Sequence, residues 1–431
     1  MSIKTLHITN SYHPASGGIR TFYNALLEAA NRHRRFMRLV VPGAESCVKE
    51  VGEFGRIYHI VAPRVPVFDS RYRWLLPHTY AWPYDSPLRR ILADERPDLV
   101  EVCDKFWLLY LPGVLRRGWI SRAPVPVLVG LTCERLDDNM ATYVSASGVA
   151  RYVCERYMHN CYAPRFDFHI AASEYIAAEV RSALPERLNG RLYVCPMGAD
   201  FAAFSKPCDG AALRQELLER IGGGERTILL LYAGRLSKEK NLGVLPAMLK
   251  ALSEHANRDY RLVVAGDGPY ASDLHRALEE AAPGRSLSLG HCSSVTLRTL
   301  YHSVDAFIHP NPREPFGIAP LEAMGAGLPL VAPASGGLLT YANGRNSWLA
   351  ENTPSSLARS VESIHDDPAG RRAKTEQARL TAQQFSWERI TENYFELYDH
   401  LHQRYLLEGI SKQNPLRICN SAKNSPEIPL F

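Results

Sequence analysis

The chain has 431 residues, of which 46% are hydrophobic and 22% charged, and these values predict a globular protein with two cores. The formal net charge of +5 is too small to indicate nucleic-acid binding, but it suits anionic ligands or an anionic membrane surface. The nine cysteines are odd in number and form no Cys-x-x-Cys pair, which favours reduced thiols in a cytosol over a zinc or redox centre. The N-terminus does not resemble a signal peptide, and no apolar run approaches the ~18 residues of a membrane span, so any membrane contact should be peripheral.

In the first half of the chain, short β-rich runs alternate with helical patterns. The run "IKTLHIT" precedes Gly17 and Gly18 and then a helical stretch over 21–34. The later runs "DLVEVC", "VPVLVGL" and "FHIAAS" are apolar on both faces. Strands of this kind, alternating with helices, are typical of a parallel sheet covered by helices. We therefore predict an α/β domain over residues 1–195.

The second half repeats this alternation after a looser segment. Residues 196–225 contain "PMGADFAAFSKPCDG" and "GGGE", which predict a linker. The runs from "TILLLYAG" to "LPLVAP" then predict a second doubly wound domain over 226–385. A helix is expected over 386–402, and the loss of periodicity predicts a loose tail over 408–431.

Two glutamates, Glu314 and Glu322, lie in the stretch "NPREPFGIAPLEAMGAGLPLV". Pro315 is suited to the first helical position, which would place Glu314 in the loop before a helix. The first turn, whose free N–H groups favour anions or sugar oxygens, would then contain Phe316, Gly317 and Ile318. Glu322 would lie ~9–12 Å further along, too far to share a proton or a metal with Glu314. We predict that Glu314 binds sugar hydroxyls and Glu322 ribose hydroxyls, both as charged acceptors.

Basic residues follow the first strand of the second domain. In "LLYAGRLSKEKNLGVL", Gly234 and Arg235 end a predicted strand and Lys240 precedes the next helix. Ligands of open α/β sheets bind at this carboxyl edge, where two cations would neutralise a leaving diphosphate. The chain has no Asp-x-Asp pair, so a metal bound by that motif is not expected. Gly17 and Gly18 would let the backbone approach a phosphate. A surface turn or a solvated side chain is the alternative for each motif taken alone.

Together these motifs resemble the retaining glycosyltransferases of family 4, which have the GT-B fold. The resemblance spans about residues 5 to 402 and rests on "GGIRT", "CPMGAD", "AGRLSKEKN", "VVAGDGP", "REPFGIAPLEAMGAGLPLVA" and "SGG". It implies two Rossmann-like, doubly wound parallel-sheet domains that face a cleft. The nucleotide sugar would bind mainly to the C-terminal domain and the acceptor to the N-terminal domain, and the last helix would cross back to the first domain.

The resemblance also implies roles for individual residues. Arg235 and Lys240 would contact the diphosphate and Glu314 the donor sugar, and these three would be catalytic. Glu322 would bind the ribose, and Gly17 and Gly18 would approach the diphosphate. Transfer would retain the anomeric configuration, with no metal and no cofactor besides the donor.

Two positions depart from the family pattern. Many relatives have a histidine where "LTCERLDDN" has Cys133 or Glu134, and relatives often have Gly-Gly-x-x-Glu where this chain has Thr340. A buried structural residue is the alternative to a chemical role for Cys133. The candidates for acceptor contacts are His13, Glu134, Arg135 and Asp137.

We therefore predict a cytoplasmic hexosyltransferase that moves a sugar from a nucleoside diphosphate sugar to a hydroxyl of a glycan, glycolipid or small glycoside. A catalytically silent nucleotide-sugar-binding subunit is the main alternative, and a sugar-nucleotide epimerase or a phosphorylase is a weaker one. The basic and aromatic segments 31–38 and 64–84 suit peripheral contact with the inner face of a membrane. A solvated helix end and an irregular acceptor loop are the alternative interpretation of these segments.

Overall fold

The computed structural model describes residues 3–13, 17–65, 72–81, 86–117, 125–206, 208–255 and 257–413. The chain divides into two compact units. Unit 1 contains Met1–Asp137, Ala146–Cys195 and the residues from Ile390 onward, and unit 2 contains Asp138–Ser145 and Pro196–Arg389. Parts of the basic and aromatic segment 64–84, namely 66–71 and 82–84, lie outside the described residues.

The strands are β1 (Thr5–Thr9), β2 (Met37–Gly43), β3 (Cys47–Val51), β4 (Gly55–Val61), β5 (Leu99–Cys103), β6 (Val127–Thr132), β7 (Phe168–Ala171), β8 (Leu192–Val194), β9 (Ile228–Ala233), β10 (Tyr260–Ala265), β11 (Ser286–Gly290), β12 (Ala306–Ile308), β13 (Leu330–Pro333) and β14 (Trp348–Ala350). The α-helices are α1 (Gly18–Arg32), α2 (Pro87–Glu95), α3 (Leu111–Arg116), α4 (Leu136–Tyr143), α5 (Gly148–Tyr157), α6 (Glu174–Ala183), α7 (Phe201–Phe204), α8 (Ala211–Ile221), α9 (Val244–His255), α10 (Ala271–Ala281), α11 (Ser294–Tyr301), α12 (Ile318–Gly325), α13 (Pro354–Asp366), α14 (Pro368–Gln384) and α15 (Trp387–Gln413).

Unit 1 is built on one sheet with the strand order β3-β4-β2-β1-β5-β6-β7-β8. Only β3 is antiparallel to its neighbour among the described strand pairs. The central strand β1 is buried along its whole length, including the polar Thr5, His7 and Thr9, because the strand is covered on both faces.

A polar network crosses the core of unit 1. The carboxylate of Glu101 on β5 accepts hydrogen bonds from Tyr23 on α1 (3.0 Å) and from Tyr398 on α15 (2.6 Å). His7 on β1 contacts the same carboxylate through Nδ1 at 2.8 Å. Each of these four side chains is fully buried, so their pairing satisfies groups that would otherwise be costly to bury. The network therefore attaches α15 to the sheet of unit 1.

Unit 2 is built on a second sheet with the order β11-β10-β9-β12-β13-β14, in which all described pairs are parallel. The apolar side chains of α9, α10 and α13 pack against one face of this sheet. Two parallel-sheet α/β units of this kind confirm the predicted fold class.

Two segments differ from the sequence-based expectation. The predicted linker 196–225 belongs to unit 2, where it forms α7 and α8. The predicted tail begins too early, because residues 408–413 continue α15 to Gln413; residues 414–431 lie outside the described part of the chain. Within the described residues, no helix combines the length and apolar character that a bilayer crossing requires.

Candidate functional site

The loops after β9 and β10 in unit 2 are packed backbone against backbone. A Cβ atom at Gly266 would lie 1.9 Å from the carbonyl oxygen of Gly234, and one at Gly268 would lie 2.2 Å from that of Leu236. The N–H of Leu236 donates to the carbonyl oxygen of Asp267 at 3.0 Å. The glycines of "AGDGP" are therefore required by this close approach, which holds the Gly234-Arg235 turn at the carboxyl edge of the sheet.

Lys240 and Glu314 form an ion pair at the same edge. Lys240 ends a 3₁₀ turn (Lys238–Lys240), and its Nζ lies 3.1 Å and 2.9 Å from the two carboxylate oxygens of Glu314. Glu314 lies in the loop between β12 and α12 and is buried, whereas the Lys240 side chain keeps 24% of its exposed surface. The structure thus pairs Lys240 with Glu314, whereas from the sequence we expected Lys240 to contact the diphosphate and Glu314 the donor sugar.

Two further side chains surround the Glu314 carboxylate. Asn311 donates to Oε2 through Nδ2 at 3.1 Å, and His309 Nε2 lies 3.4 Å from the same oxygen. Both residues are buried and follow β12 directly. Sequence reasoning missed them, although polar residues directly after the buried run "AFI" were a usable signal.

The local charges determine the protonation states of this pair. Burial alone would raise the pKa of Glu314, but the Lys240 ammonium and His309 outweigh it and hold that pKa well below its usual value. Burial would lower the pKa of Lys240, yet the Glu314 carboxylate raises it overall, against a smaller opposing effect of Arg235. Glu314 is therefore a carboxylate and Lys240 an ammonium across the physiological range.

The predicted start of the following helix was wrong. The helix α12 begins at Ile318, and Gly317 is its N-cap residue with φ of 88°. This left-handed conformation favours glycine, and it moves the helix start beyond the position that Pro315 suggested. The Tyr341 hydroxyl donates to the carbonyl oxygen of Gly317 at 2.5 Å and supports the turn.

The N–H groups at this helix start remain available for a ligand. Among the described residues, those of Phe316, Gly317 and Ile318 donate to no protein acceptor. The Phe316 ring itself is buried against Tyr341 and Phe385, with ring centroids 5.3 Å and 6.2 Å away, so its side chain belongs to the core of unit 2. Any ligand contact of Phe316 must therefore come from its backbone.

The loop of Gly336 and Gly337 supports the Glu314 turn. The N–H of Gly337 donates to the carbonyl oxygen of Glu314 at 2.7 Å, and a Cβ atom at Gly337 would lie 1.7 Å from the carbonyl oxygen of Pro315. Gly336 has φ of 80°, which again favours glycine. This loop therefore holds the Glu314 backbone in place without a glutamate at Thr340.

Glu322 lies within α12 and contacts Tyr301, whose hydroxyl donates to Oε2 at 3.1 Å. Burial raises the pKa of Glu322 to about 8, and the bond from Tyr301 offsets only part of this effect. This shift favours a neutral carboxyl near pH 7, whereas the expected contact of Glu322 with ribose hydroxyls stays a prediction. A protonated carboxyl can instead both donate and accept one hydrogen bond to a vicinal diol.

Among the candidate acceptor residues of unit 1, Arg135 and Asp137 are paired with each other. Arg135 Nε donates to Asp137 at 2.9 Å, and Arg135 Nη1 donates to the carbonyl oxygen of Tyr175 at 3.0 Å. Glu134 is exposed, and His13 stacks on Tyr72 with ring centroids 5.3 Å apart. The geometry therefore gives Arg135 and Asp137 a role in shaping the loop after β6.

Gly17 and Gly18 stand at the start of α1, with Gly17 as its N-cap residue. A Cβ atom at Gly17 would meet no described atom within 4 Å. Unlike Gly266 or Gly337, Gly17 is thus not required by packing between described residues, which leaves a phosphate contact as its predicted role.

A fixed cation and a helix start at the carboxyl edge of a parallel sheet, as in unit 2, are typical of sites for phosphorylated ligands. Residues 214–381 match the family model described as "Glycosyl transferases group 1". This region contains Arg235, Lys240, Glu314 and Glu322. This part of unit 2 is thus similar to the group 1 glycosyltransferases, and the two parallel-sheet α/β units agree with the GT-B fold.

Individual proteins extend the similarity to the whole chain. The GDP-mannose-dependent alpha-(1-6)-phosphatidylinositol dimannoside mannosyltransferase of Mycobacterium tuberculosis is 27% identical over 392 residues, which cover 90% of this chain and 93% of that protein. The structure of the sucrose-phosphate synthase of Thermosynechococcus elongatus matches with a TM-score of 0.73 at 19% identity. The match covers 93% of this chain and 100% of the synthase chain. Anabaena Alr3699/HepE, solved with UDP and glucose, has a TM-score of 0.66 at 18% identity, with 92% and 100% covered.

Proposed function

We propose that this chain is a retaining, metal-independent glycosyltransferase that moves a hexose from a nucleoside diphosphate sugar to a hydroxyl acceptor. The observation that carries this proposal is the Lys240–Glu314 ion pair next to the unpartnered N–H groups at the start of α12. A fixed ammonium and a helix start together suit a diphosphate whose negative charge grows as it departs. No cofactor besides the donor is required.

Each residue then has a distinct task. Lys240 has three N–H donors, and Glu314 orients the ammonium so that the donors it does not use can contact a phosphate. Arg235 supplies a second cation from the turn after β9. The carboxyl of Glu322 is suited to a ribose diol. Glu314 cannot act as a general acid, because its pKa lies far below neutrality.

The acceptor proton then needs another base. In a retaining transfer the leaving phosphate oxygen can take that proton, so the reaction needs no histidine at Cys133. The protein contributes charge stabilisation and positioning, which are the larger effects in the departure of a phosphate group.

The donor and acceptor are proposed from the relatives. The mannosyltransferase that is similar over 90% of this chain is named for GDP-mannose and for a phosphatidylinositol dimannoside, whereas Alr3699/HepE was solved with UDP and glucose. Sequence similarity over nearly the full length carries more weight here than similarity of fold alone. We therefore propose GDP-mannose as the donor and a lipid-linked sugar as the acceptor.

The test is a transfer assay with the purified full chain. GDP-mannose and UDP-glucose are each offered with a mannosylated lipid acceptor, with and without EDTA, and the anomeric configuration of the product is read by proton NMR. We expect an α-linked product whose rate is unchanged by EDTA. Inverted product or loss of activity with EDTA would contradict the mechanism, and donor binding without turnover would favour the silent-subunit alternative.

Two variants test the proposed diphosphate site. Arg235→Ala should lower kcat/KM by about 100- to 1,000-fold, because removing one preorganised donor to a developing negative charge typically costs about 2.7–4 kcal/mol. The matched control is Arg258→Ala, also in unit 2, whose guanidinium pairs with Asp366 on the surface at 2.9 Å. Equal activity of the two variants would refute the role of Arg235.

A further inference from the structure

Unit 1 contains a cavity of about 460 Å³ that the glycosyltransferase function does not use. Its walls are partly apolar, with Phe166, Leu184 and Leu188, and partly polar, with Arg116, His169 and Arg191. A volume of this size is in the range of pockets that bind small molecules.

The cavity lies at the amino edge of the unit 1 sheet. The lining residue Val125 lies two positions before β6, which begins at Val127, and Asp167 directly precedes β7, which begins at Phe168. The candidate acceptor residue Arg135 instead follows the carboxyl end of β6. Six residues of strand separate these edges by about 20 Å, so the cavity is distinct from the expected acceptor site.

One ring nitrogen of a buried histidine in the cavity wall lacks a hydrogen-bond partner among the described residues. His169 is 1% exposed, and its Nε2 lies 3.1 Å from the carbonyl oxygen of Ala163. Since a carbonyl only accepts, the ring proton is on Nε2. Nδ1 is then an acceptor, and it contacts no donor among the described residues. An acceptor that is buried without a partner is costly, so this position suits a hydroxyl or N–H of a ligand.

The protonation state of His169 agrees with this assignment. Burial lowers its pKa to about 4, against a small opposing effect of the bond to Ala163. The ring is therefore neutral near pH 7. The lone pair of Nδ1 is therefore free to accept a hydrogen bond, and a donor group in the cavity would supply it.

Two arginines of the same wall keep hydrogen-bond donors that their ion pairs do not use. Arg116 pairs with the lining carboxylate of Asp167 at 2.8 Å, and Arg191 pairs with Glu408 of α15 at 2.6 Å. Each guanidinium has five N–H donors, more than these ion pairs use. A carboxylate entering the cavity would therefore find donors that are already held in place.

We propose that this cavity is a second ligand site, which binds an amphiphilic small molecule with an apolar ring, a hydroxyl donor and a carboxylate. The hydroxyl donates to Nδ1 of His169, the ring packs against Phe166 and Leu188, and the carboxylate accepts from Arg116 or Arg191.

The binding test uses three related probes and the full chain. 4-Hydroxyphenylacetate carries all three features, 4-methoxyphenylacetate lacks the donor, and 2-(4-hydroxyphenyl)ethanol lacks the carboxylate. Saturation-transfer NMR and calorimetry should show that 4-hydroxyphenylacetate binds about five- to tenfold more tightly than the methoxy probe, the effect of one neutral hydrogen bond. The affinity should not change when GDP-mannose and the acceptor are present, because the two sites are separate.

Three variants locate the site. His169→Phe should remove the preference for the hydroxyl over the methoxy probe while the ring is still bound. Leu188→Trp fills the cavity from its partly exposed side and should abolish binding of all probes. Leu406→Trp is the control, because Leu406 is 49% exposed on α15 and does not line the cavity.

Three results would overturn the proposal. They are the absence of binding by any probe, unchanged binding to Leu188→Trp, and competition between 4-hydroxyphenylacetate and the acceptor. Circular dichroism shows whether His169→Phe is folded. If His169→Phe is not folded, the binding of the probes to Leu188→Trp still tests the proposal.

Discussion

The Lys240–Glu314 ion pair allows the sharpest test of the proposed donor site. Glu314→Gln keeps the shape of the side chain but removes its charge, and Lys240→Met keeps the length of the stem but removes the ammonium. Measured singly and together, these changes form a double-mutant cycle for a pair whose atoms lie 2.9 Å and 3.1 Å apart.

The expected coupling follows from the distances and the burial. At an effective dielectric constant of about 20, charges at this separation attract by about 5–6 kcal/mol before the cost of desolvation is subtracted. Breaking one side of a buried pair typically costs about 3–5 kcal/mol. Since Lys240 keeps 24% of its side-chain surface, we expect a coupling free energy of about 2–3 kcal/mol in unfolding.

The assay combines urea unfolding with transfer kinetics. Glu314→Gln should lower kcat/KM by about 100-fold, because the released ammonium is no longer held in place. The control cycle uses Arg258→Met and Asp366→Asn, a surface pair 2.9 Å apart, whose coupling should stay below about 0.5 kcal/mol. Equal coupling in both cycles, or wild-type kcat/KM in folded Glu314→Gln, would refute the reasoning.

Three further predictions concern stability. Burial raises the folded-state pKa of Glu322 from 4.5 to about 8, so the stability of the wild type relative to Glu322→Gln should fall as the pH rises through that interval; a constant difference in Tm would contradict this. Gly266→Ala would place a Cβ atom 1.9 Å from a backbone oxygen and should cost about 1–3 kcal/mol in urea unfolding, whereas Gly224→Ala, with nothing within 4 Å, should change stability by less than about 0.5 kcal/mol. Tyr398→Phe removes a 2.6 Å hydrogen bond to the buried Glu101 carboxylate and should cost about 1.5–3 kcal/mol in the same assay; an unchanged midpoint would show that the network does not stabilise unit 1.

The fold could be predicted because local patterns reflect it directly. Runs such as "TILLLYAG" and "YRLVVAG" are apolar on both faces, and the structure makes them β9 and β10 of a parallel sheet. The glycines that follow these strands could also be recognised in the sequence. They are needed because the two loops touch backbone against backbone and leave no room for a Cβ atom.

The contacts within the site could not be predicted in the same way. Lys240 and Glu314 are 74 positions apart, so no local pattern links them. The start of α12 was misplaced because Pro315 is a strong local signal, while the left-handed turn at Gly317 depends on Tyr341 from a distant segment. The protonation of Glu322 depends on burial, which its spacing in a helix does not reveal.

The absence of the family histidine at Cys133 can be understood from the loop that follows β6. Glu179 of α6 accepts from the N–H groups of Leu136 and Asp137 at 2.7 Å and 3.0 Å, and its other oxygen pairs with buried Lys105 at 2.6 Å. These contacts determine the backbone at the start of α4 without using the side chain at position 133. A histidine at position 133 would therefore not be needed to shape the loop. The departure therefore changes one side chain and leaves the contacts of the loop after β6 intact, which agrees with our proposal of an active transferase rather than a silent subunit.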